Sequence, residues 1–260
     1  MVRLPIDGTT ARWRTHTGFD EVTLAESLPG LRACAEYADL AIIQSADGPV
    51  GPTELAVGDL DVLIIARRRD LLGDEVTAET DCPECGATVD VRFSLAAYAD
   101  HHSPTRVRTA RAIDSGWWRL SEAEFRLPTV GDVLSLTASG ATEEDLFARC
   151  VRGALTARSH RAITSAMSRL GPTLRATVGG VCPDCLASLT FDVDARELCM
   201  GDLRTLASRV FPDVHLLATS YGWSQDEILA LPTSRRRAYA ELISGRGRQN
   251  AFEVDGVLVG

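Results

Sequence analysis

The sequence lacks a long hydrophobic run. A helix needs roughly 18–20 consecutive apolar residues to cross a bilayer, and the longest candidate here, residues 62–66, is far shorter. The N-terminus also lacks the basic-then-apolar order of a signal peptide. These absences predict a cytoplasmic chain without a membrane segment. Thiols stay reduced in that compartment, so paired cysteines there indicate a metal site more often than a disulfide.

The chain also has little basic charge. Its 27 basic side chains are outnumbered by 36 acidic ones, which gives a formal net charge of −9. Proteins that bind a phosphate backbone draw their affinity mainly from lysine and arginine, so the charge argues against nucleic acid as a partner. Two arginine runs, 67–69 and 235–237, fall in patterns typical of a helix face. A chain of 260 residues can bury a core without a metal, so any metal site should be local.

Recognisable catalytic motifs are missing as well. The sequence contains no H-E-x-x-H, no glycine-rich phosphate loop and no G-x-S-x-G. Many carboxylates fall at predicted helix starts, where capping and the helix dipole explain them. The histidines are scattered along the chain, at His16, His101, His102, His160 and His215. We therefore expect no enzyme activity and no small-molecule substrate.

Two C-x-x-C pairs are the strongest chemical signal in the sequence. Cysteines three residues apart in a tight turn aim both sulfurs at one point, and two such turns supply the four thiolates of a closed tetrahedral zinc site. A closed site leaves no coordination position for a substrate water, so its expected role is structural. We predict that one structural zinc ion is shared by Cys82, Cys85, Cys182 and Cys185.

Several alternatives stay open at this point, because 96 residues separate the two pairs, whereas a zinc ribbon usually has about 15–20. Each pair could lack a metal or use other ligands, and His101 and His102 are candidates for the first. Iron accepts the same four thiolates as zinc. A thioredoxin-type redox pair fits less well, since such pairs lie at a helix start. Leu186 stands where glycine is preferred after the second pair, which puts the geometry of that turn in question.

Hydrophobic periodicity predicts an α+β fold. Residues 76–80 and 89–93 alternate on either side of the first cysteine pair, and residues 174–178 and 189–193 do so around the second. Each hairpin follows a predicted helix, which indicates a weak internal repeat. We therefore predict two zinc-knuckle β-hairpins, similar to zinc ribbons, with flanking helices and a helical C-terminal module. The other cysteines, Cys34, Cys150 and Cys199, fall in helical patterns and are expected to be buried.

The same patterns divide the chain into three segments. Residues 1–52 are predicted to form an N-terminal arm and helices. Residues 53–195 are predicted to hold a helix and the paired hairpins, with a block of strands and helices inserted between them. Residues 196–260 form the helical module, whose last part, 245–260, is expected to be a loose, glycine-rich end.

Local signals add detail to this division. In the inserted block we expect an extended segment over residues 106–113 and a helix that opens at the Thr142 capping box and runs through Leu155. In the C-terminal module, Pro212 predicts a kink or break and Gly222 a helix end. Ser224-Gln-Asp-Glu227 is a second capping box, and Ser234 is expected to cap the last helix.

The C-terminal part of the sequence resembles a known family. Phe191-Asp-Val is followed by an amphipathic helix, by residues 214–232 (Val-His-Leu-Leu-Ala-Thr-Ser-Tyr-Gly-Trp-Ser-Gln-Asp-Glu-Ile-Leu-Ala-Leu-Pro) and by Arg-Arg-Arg-Ala-Tyr at 235–239. This order resembles a segment of proteins from phage-tail-like contractile injection systems, in which a C-P-x-C hairpin also precedes it. Residues 58–95 are similar to the T-even phage baseplate protein family. Residues 196–201 depart from the pattern, since a more apolar helix start is expected there.

The resemblance implies a non-enzymatic structural or assembly component of a baseplate, with other baseplate or tail proteins as partners. The rival interpretation is a zinc-ribbon protein that binds nucleic acid or has a regulatory role. Its support is a pair of short C-terminal helices with the arginine run 235–237, a superficial likeness to a helix-turn-helix. The net charge and the acidic Asp226-Glu227 at the start of the preceding helix argue against it.

Overall fold

The computed structural model describes residues 1–113 and 116–245 and shows a mixed α and β protein. The expected loose end lies, from residue 246 on, outside the described residues. The chain divides into two compact units: Met1–Trp13 with Pro29–Gly201, and Arg14–Leu28 with the chain from Asp202 onward. The three-segment division stays a prediction. No helix in the described part of the chain is both long enough and apolar enough to span a bilayer.

The described part of the chain is built from helices and short antiparallel strands. The helices are α1 (Gly18–Glu26), α2 (Leu31–Ala38), α3 (Val57–Leu72), α4 (Leu95–His101), α5 (Val130–Ser139), α6 (Glu143–Cys150), α7 (Ala157–Leu170), α8 (Ala195–Ala207), α9 (Val210–Tyr221), α10 (Gln225–Ala230) and α11 (Thr233–Ile243). The strands are β1 (Val2–Arg3), β2 (Thr10–Trp13), β3 (Ala41–Ser45), β4 (Gly48–Pro49), β5 (Glu75–Asp81), β6 (Thr88–Ser94), β7 (Arg111–Ala112), β8 (Trp117–Leu120), β9 (Ala123–Arg126), β10 (Val151–Gly153), β11 (Arg175–Val181) and β12 (Ser188–Asp194). Their sheets have the orders β1-β2-β3-β4, β10-β9-β8-β7, β5-β6 and β11-β12. A two-stranded hairpin is marginally stable alone, so β5-β6 and β11-β12 depend on what they pack against.

These two hairpins repeat each other in register, residue n of the first matching residue n+100 of the second. At the tips, Asp81 pairs with Thr88 and Val181 pairs with Ser188. Residues 81–90 and residues 181–190 have the same pattern of buried and exposed positions. The internal repeat predicted from the sequence is therefore present in the structure.

The repeat extends past the hairpins into the helices that follow them. Ser94 Oγ accepts a hydrogen bond from the Ala97 N–H at 3.0 Å and so caps α4. One hundred residues later, Asp194 Oδ1 accepts from the Glu197 N–H at 3.1 Å at the start of α8. Each hairpin thus ends in a capped helix start, which fixes the direction in which the chain leaves it.

Two polar side chains on helices of the first repeat, Asp61 and Tyr98, contact the second hairpin and the residues that flank it. Asp61 on α3 is buried, accepts the N–H of Leu174 at 2.9 Å and pairs with Arg196 at 2.9 Å. The Tyr98 hydroxyl on α4 donates to the carbonyl oxygen of Val193 at 3.5 Å. Because each contact joins a residue before the inserted block to one after it, both hold the hairpins together despite their separation in sequence.

The inserted block has a core of its own. The sheet β10-β9-β8-β7 lies between the two hairpins in the chain, and α7 contacts strand β9 of that sheet. The buried residues of this core are Val107, Leu120, Ala123, Phe125, Ile163 and Ala166. The long stretch between the cysteine pairs is therefore a folded layer, and its ends can return to one place.

One local prediction in this block was wrong, and another was confirmed only in part. The helix that opens at Thr142 ends at Cys150 instead of continuing through Leu155, because Val151–Gly153 pairs with the edge of β9. The extended segment over residues 106–113 forms a strand only at Arg111–Ala112. A strand needs a partner, and the ladder with β8 covers these two residues, with one further bond from the Ile113 N–H to the Trp117 carbonyl.

In the C-terminal helices the predictions were mostly confirmed. The helix break falls between α8 and α9, and Pro212 lies in the first turn of α9, where proline is tolerated. Gly222 ends α9 in a left-handed conformation, and Ser224 opens α10 with a capping box. The prediction for Ser234 was wrong, because it lies inside α11, whose N-cap position is Pro232.

Candidate metal centre

Each cysteine pair lies at the turn of its hairpin, as the sequence predicted. We call residues 81–88 the first knuckle and residues 181–188 the second knuckle. In the first knuckle the N–H of Cys82 donates to the carbonyl of Ala87 at 2.8 Å, and the N–H of Gly86 donates to the carbonyl of Cys82 at 2.8 Å. The second knuckle repeats both bonds, at 2.9 and 3.0 Å. The sequence therefore closes two equal turns, each with two cysteines.

The four sulfurs of the two knuckles lie together. All of them are within 4.8 Å of one another. Cys82 Sγ is 3.7 Å from Cys185 Sγ, and Cys85 Sγ is 3.8 Å from Cys182 Sγ. Neighbouring sulfurs around a tetrahedral ion with metal–sulfur bonds of about 2.3 Å are about 3.8 Å apart. A disulfide would need about 2.05 Å, and the four thiols are free. The donor set and its spacing therefore fit one four-coordinate metal ion.

The site has a buried side and an exposed side. Cys82 and Cys182 are buried, whereas Cys85 and Cys185 are exposed to solvent. The two buried cysteines belong to a small apolar cluster between the hairpins, whose other members are Val89, Leu189 and Ala187. An ion held here would thus be sealed on the inner side by packed side chains and would be reached by solvent from the outer side only.

Backbone amides favour the thiolate form of the inner cysteine in the first knuckle. The N–H groups of Cys85 and Glu84 donate to the Cys82 sulfur and lower the pKa of this thiol to about 7. At Cys85 the N–H of Ala87 acts in the same direction, but the neighbouring thiols, that of Cys185 above all, raise its pKa to about 12. Four thiolates this close repel one another, so a cation is what allows all of them to ionise together.

The alternative ligands considered above lie elsewhere. His102 Nδ1 is 2.8 Å from the carbonyl oxygen of Tyr98, and the two rings are 4.4 Å apart. His101 is the last residue of α4. Among residues 1–113 and 116–245, the cysteine cluster is the group of His, Cys, Asp and Glu side chains close enough to share an ion. The remaining cysteines are buried, as predicted, and lie outside it: Cys34, Cys150 and Cys199.

Comparison of the chain with protein-family profiles, with curated proteins and with solved structures gives no match. The resemblance to contractile-injection-system proteins therefore stays a prediction from the sequence. The cysteine cluster is the feature of the structure on which a functional proposal can be built.

Proposed function

We propose that the chain holds one structural zinc ion at Cys82, Cys85, Cys182 and Cys185. The observation that carries this proposal is the sulfur spacing of 3.7 and 3.8 Å within a set of four thiols from two equal turns. Zinc has no redox chemistry of its own and is commonly held in closed four-cysteine structural sites. Iron accepts the same ligands, and elemental analysis distinguishes the two metals.

The role of the ion is to clamp the two hairpins. Each hairpin has two strands and buries little apolar surface on its own, so it gains stability from a cross-link at its tip. Cys85 and Cys182 are 97 positions apart. Closing a loop of that length in the unfolded chain removes conformational entropy worth about 4–5 kcal/mol in the simplest polymer treatment. The ion would therefore make the paired hairpins one rigid element.

A rigid element of this kind suits an assembly role. The chain serves, in this proposal, as a non-enzymatic structural or assembly component of the baseplate of a contractile, phage-tail-like particle. The support is the sequence order from the second C-P-x-C hairpin through residues 214–232, together with residues 58–95. A closed four-thiolate site, which supplies structure and not an open metal position, agrees with it. The partners would be other baseplate or tail proteins.

The nucleic-acid alternative finds less support in the second unit. Arg236 is fully buried, donates to Glu21 and lies 3.1 Å from Asp213. Arg237 donates to Glu21 at 2.9 Å. Guanidinium groups that are paired with carboxylates inside the unit are not available to phosphates. Binding to duplex DNA that weakens steeply with rising salt would favour the alternative.

Electron microscopy of particles from the source organism tests the assembly role. We expect that a strain without this chain makes tubes or sheaths that lack a complete baseplate. A plasmid copy should restore complete particles, and so should a Cys150→Ser copy, which removes a buried thiol outside the cluster. A copy with both Cys82→Ser and Cys182→Ser should not restore them. Normal particles in the deletion strain would contradict the proposal.

A further inference from the structure

At two exposed positions the second knuckle has an apolar side chain where the first has none. The first has Asp81 before its cysteine pair and Gly86 after it, and the second has Val181 and Leu186 at the matching places. Val181 is 61% exposed and Leu186 is 77% exposed. The first knuckle closes the same turn with a charged residue and a glycine, so neither the turn nor the sulfur cluster requires apolar side chains there.

Leu186 also has an unfavourable backbone conformation. Its φ is +62°, in the left-handed region where Gly86 has φ +71°. A side chain in this region costs roughly 1–2 kcal/mol, and glycine avoids that cost. The second knuckle therefore keeps a leucine that is both strained and exposed to water. Strain that the fold does not require is typical of functional positions.

The charged residues of the two knuckles are of one sign. Residues 81–91 and 176–194, which form the knuckles and most of the adjoining strands, contain acidic residues and no basic ones. Asp81, Glu84 and Asp184 are exposed at the tips. A second copy of this chain would place its own acidic tip against this one, and like charges that face each other across an interface are unfavourable. The charge instead fits a partner with basic residues.

We propose that Val181 and Leu186 anchor the second knuckle in an apolar pocket of a different protein, whose rim is basic. The two side chains supply the buried contact, and the acidic tips face the arginines or lysines of the rim. Apolar anchors at the centre of an interface with charges around it are the usual arrangement of a specific contact. This docking surface is a proposal beyond the baseplate role, and its test does not depend on that role.

Site-specific photocrosslinking identifies the occupant. The photoreactive residue p-benzoylphenylalanine is placed at Val181 in the full chain and, as the matched control, at Asp81 in the first knuckle. In the source organism we expect one discrete heterologous adduct from position 181 and none from position 81. Mass spectrometry should place the crosslink on an apolar residue of a pocket that has lysine or arginine at its rim.

Binding of the purified partner then tests the anchors. Leu186→Gly removes one of the two anchors and relieves the strain, so the variant should stay folded and keep its metal content. It should nevertheless bind the crosslinked protein at least about tenfold more weakly. Binding of the parent chain should also weaken as salt rises, because acidic tips meet a basic rim. An adduct with a second copy of this chain, an adduct with nucleic acid, equal adducts from both positions, or unchanged affinity of Leu186→Gly would each overturn the proposal.

Discussion

Cys82 and Cys185 are 103 positions apart in the chain, and their sulfurs lie 3.7 Å apart. The inner cysteine of the first knuckle thus lies next to the outer cysteine of the second. Cys85 and Cys182 show the converse pairing at 3.8 Å. This crossed arrangement is what two equal turns give when a local two-fold rotation relates them. It places four like ligands around one point, which is the geometry that the zinc proposal needs.

The packing of α3 against the start of the second hairpin predicts the effect of a small substitution. A Cβ at Gly58 would overlap the carbonyl oxygen of Pro172 and lie 2.8 Å from Ile6 Cδ1. We expect Gly58→Ala to lower the free energy of unfolding by about 2–3 kcal/mol, because backbone atoms cannot move as easily as side chains. Urea denaturation measures this change in the free energy of unfolding.

Gly201→Ala is the matched control for this change. Gly201 lies in α8, and a Cβ there meets no atom within 4 Å. Alanine should therefore raise the free energy of unfolding by about 0.5–1 kcal/mol through its helix propensity. Equal effects of the two substitutions would show that Gly58 does not fix the position of the second hairpin.

The two knuckles predict opposite effects of exchanging glycine and leucine. Gly86→Leu forces a side chain into the left-handed region and should cost about 1–2 kcal/mol. Leu186→Gly relieves that strain but adds entropy to the unfolded chain, so it should be neutral or stabilise by up to about 1 kcal/mol. Thermal unfolding of the metal-loaded proteins measures both. A clear loss of stability in Leu186→Gly would contradict the assignment of strain to this leucine.

How much of this site the sequence predicted depends on how far apart in the chain the interacting residues lie. The period-two strands and the C-P-x-C turns depend on neighbouring residues, so both hairpins and all four cysteines could be predicted. The approach of the hairpins depends on Asp61 with Leu174 and on Tyr98 with Val193, contacts that join distant segments. A single sequence does not show which backbone group a side chain will meet. Asp61 does carry a signal, since an acid among the apolar residues of α3 needs a buried partner.

The missed elements have the same cause. Residues 151–153 continue a helical pattern, yet Val151 pairs with Phe125 on β9 and forms a strand. The helical pattern depends only on neighbouring residues, whereas the edge of β9 that pairs with residues 151–153 lies in another segment of the chain. Propensity therefore decides the middle of an element, whereas a distant partner decides where the element ends.

A buried carboxyl group in the first unit predicts a pH dependence. Asp59 is fully buried, and burial raises its pKa to about 6, although its oxygens accept the N–H groups of Ile6 and Asp7. A raised pKa in the folded state means that the stabilising contribution is present below about pH 4. It is lost as the pH rises through 6, by up to about 2–3 kcal/mol.

The carboxyl carbon shift of Asp59, followed by NMR across this pH range, measures the titration directly. We expect a midpoint near 6. In Asp59→Asn, the fall in the free energy of unfolding between about pH 4 and 6 that Asp59 causes should disappear. The metal site is present in both proteins and therefore contributes equally to both. A midpoint at or below the ordinary value for aspartate would contradict this prediction.

Metal content per chain is the most direct test of the shared site. Elemental analysis of the purified protein should find one zinc ion per chain. Cys82→Ser and Cys182→Ser should each release the whole ion, because a shared site loses its closed ligand set when either knuckle is altered. Cys150→Ser, which changes a buried thiol outside the cluster, should keep it. Iron in place of zinc, no metal in the parent protein, or retention of part of the metal in each single-cysteine variant would contradict a single zinc ion held between the two knuckles.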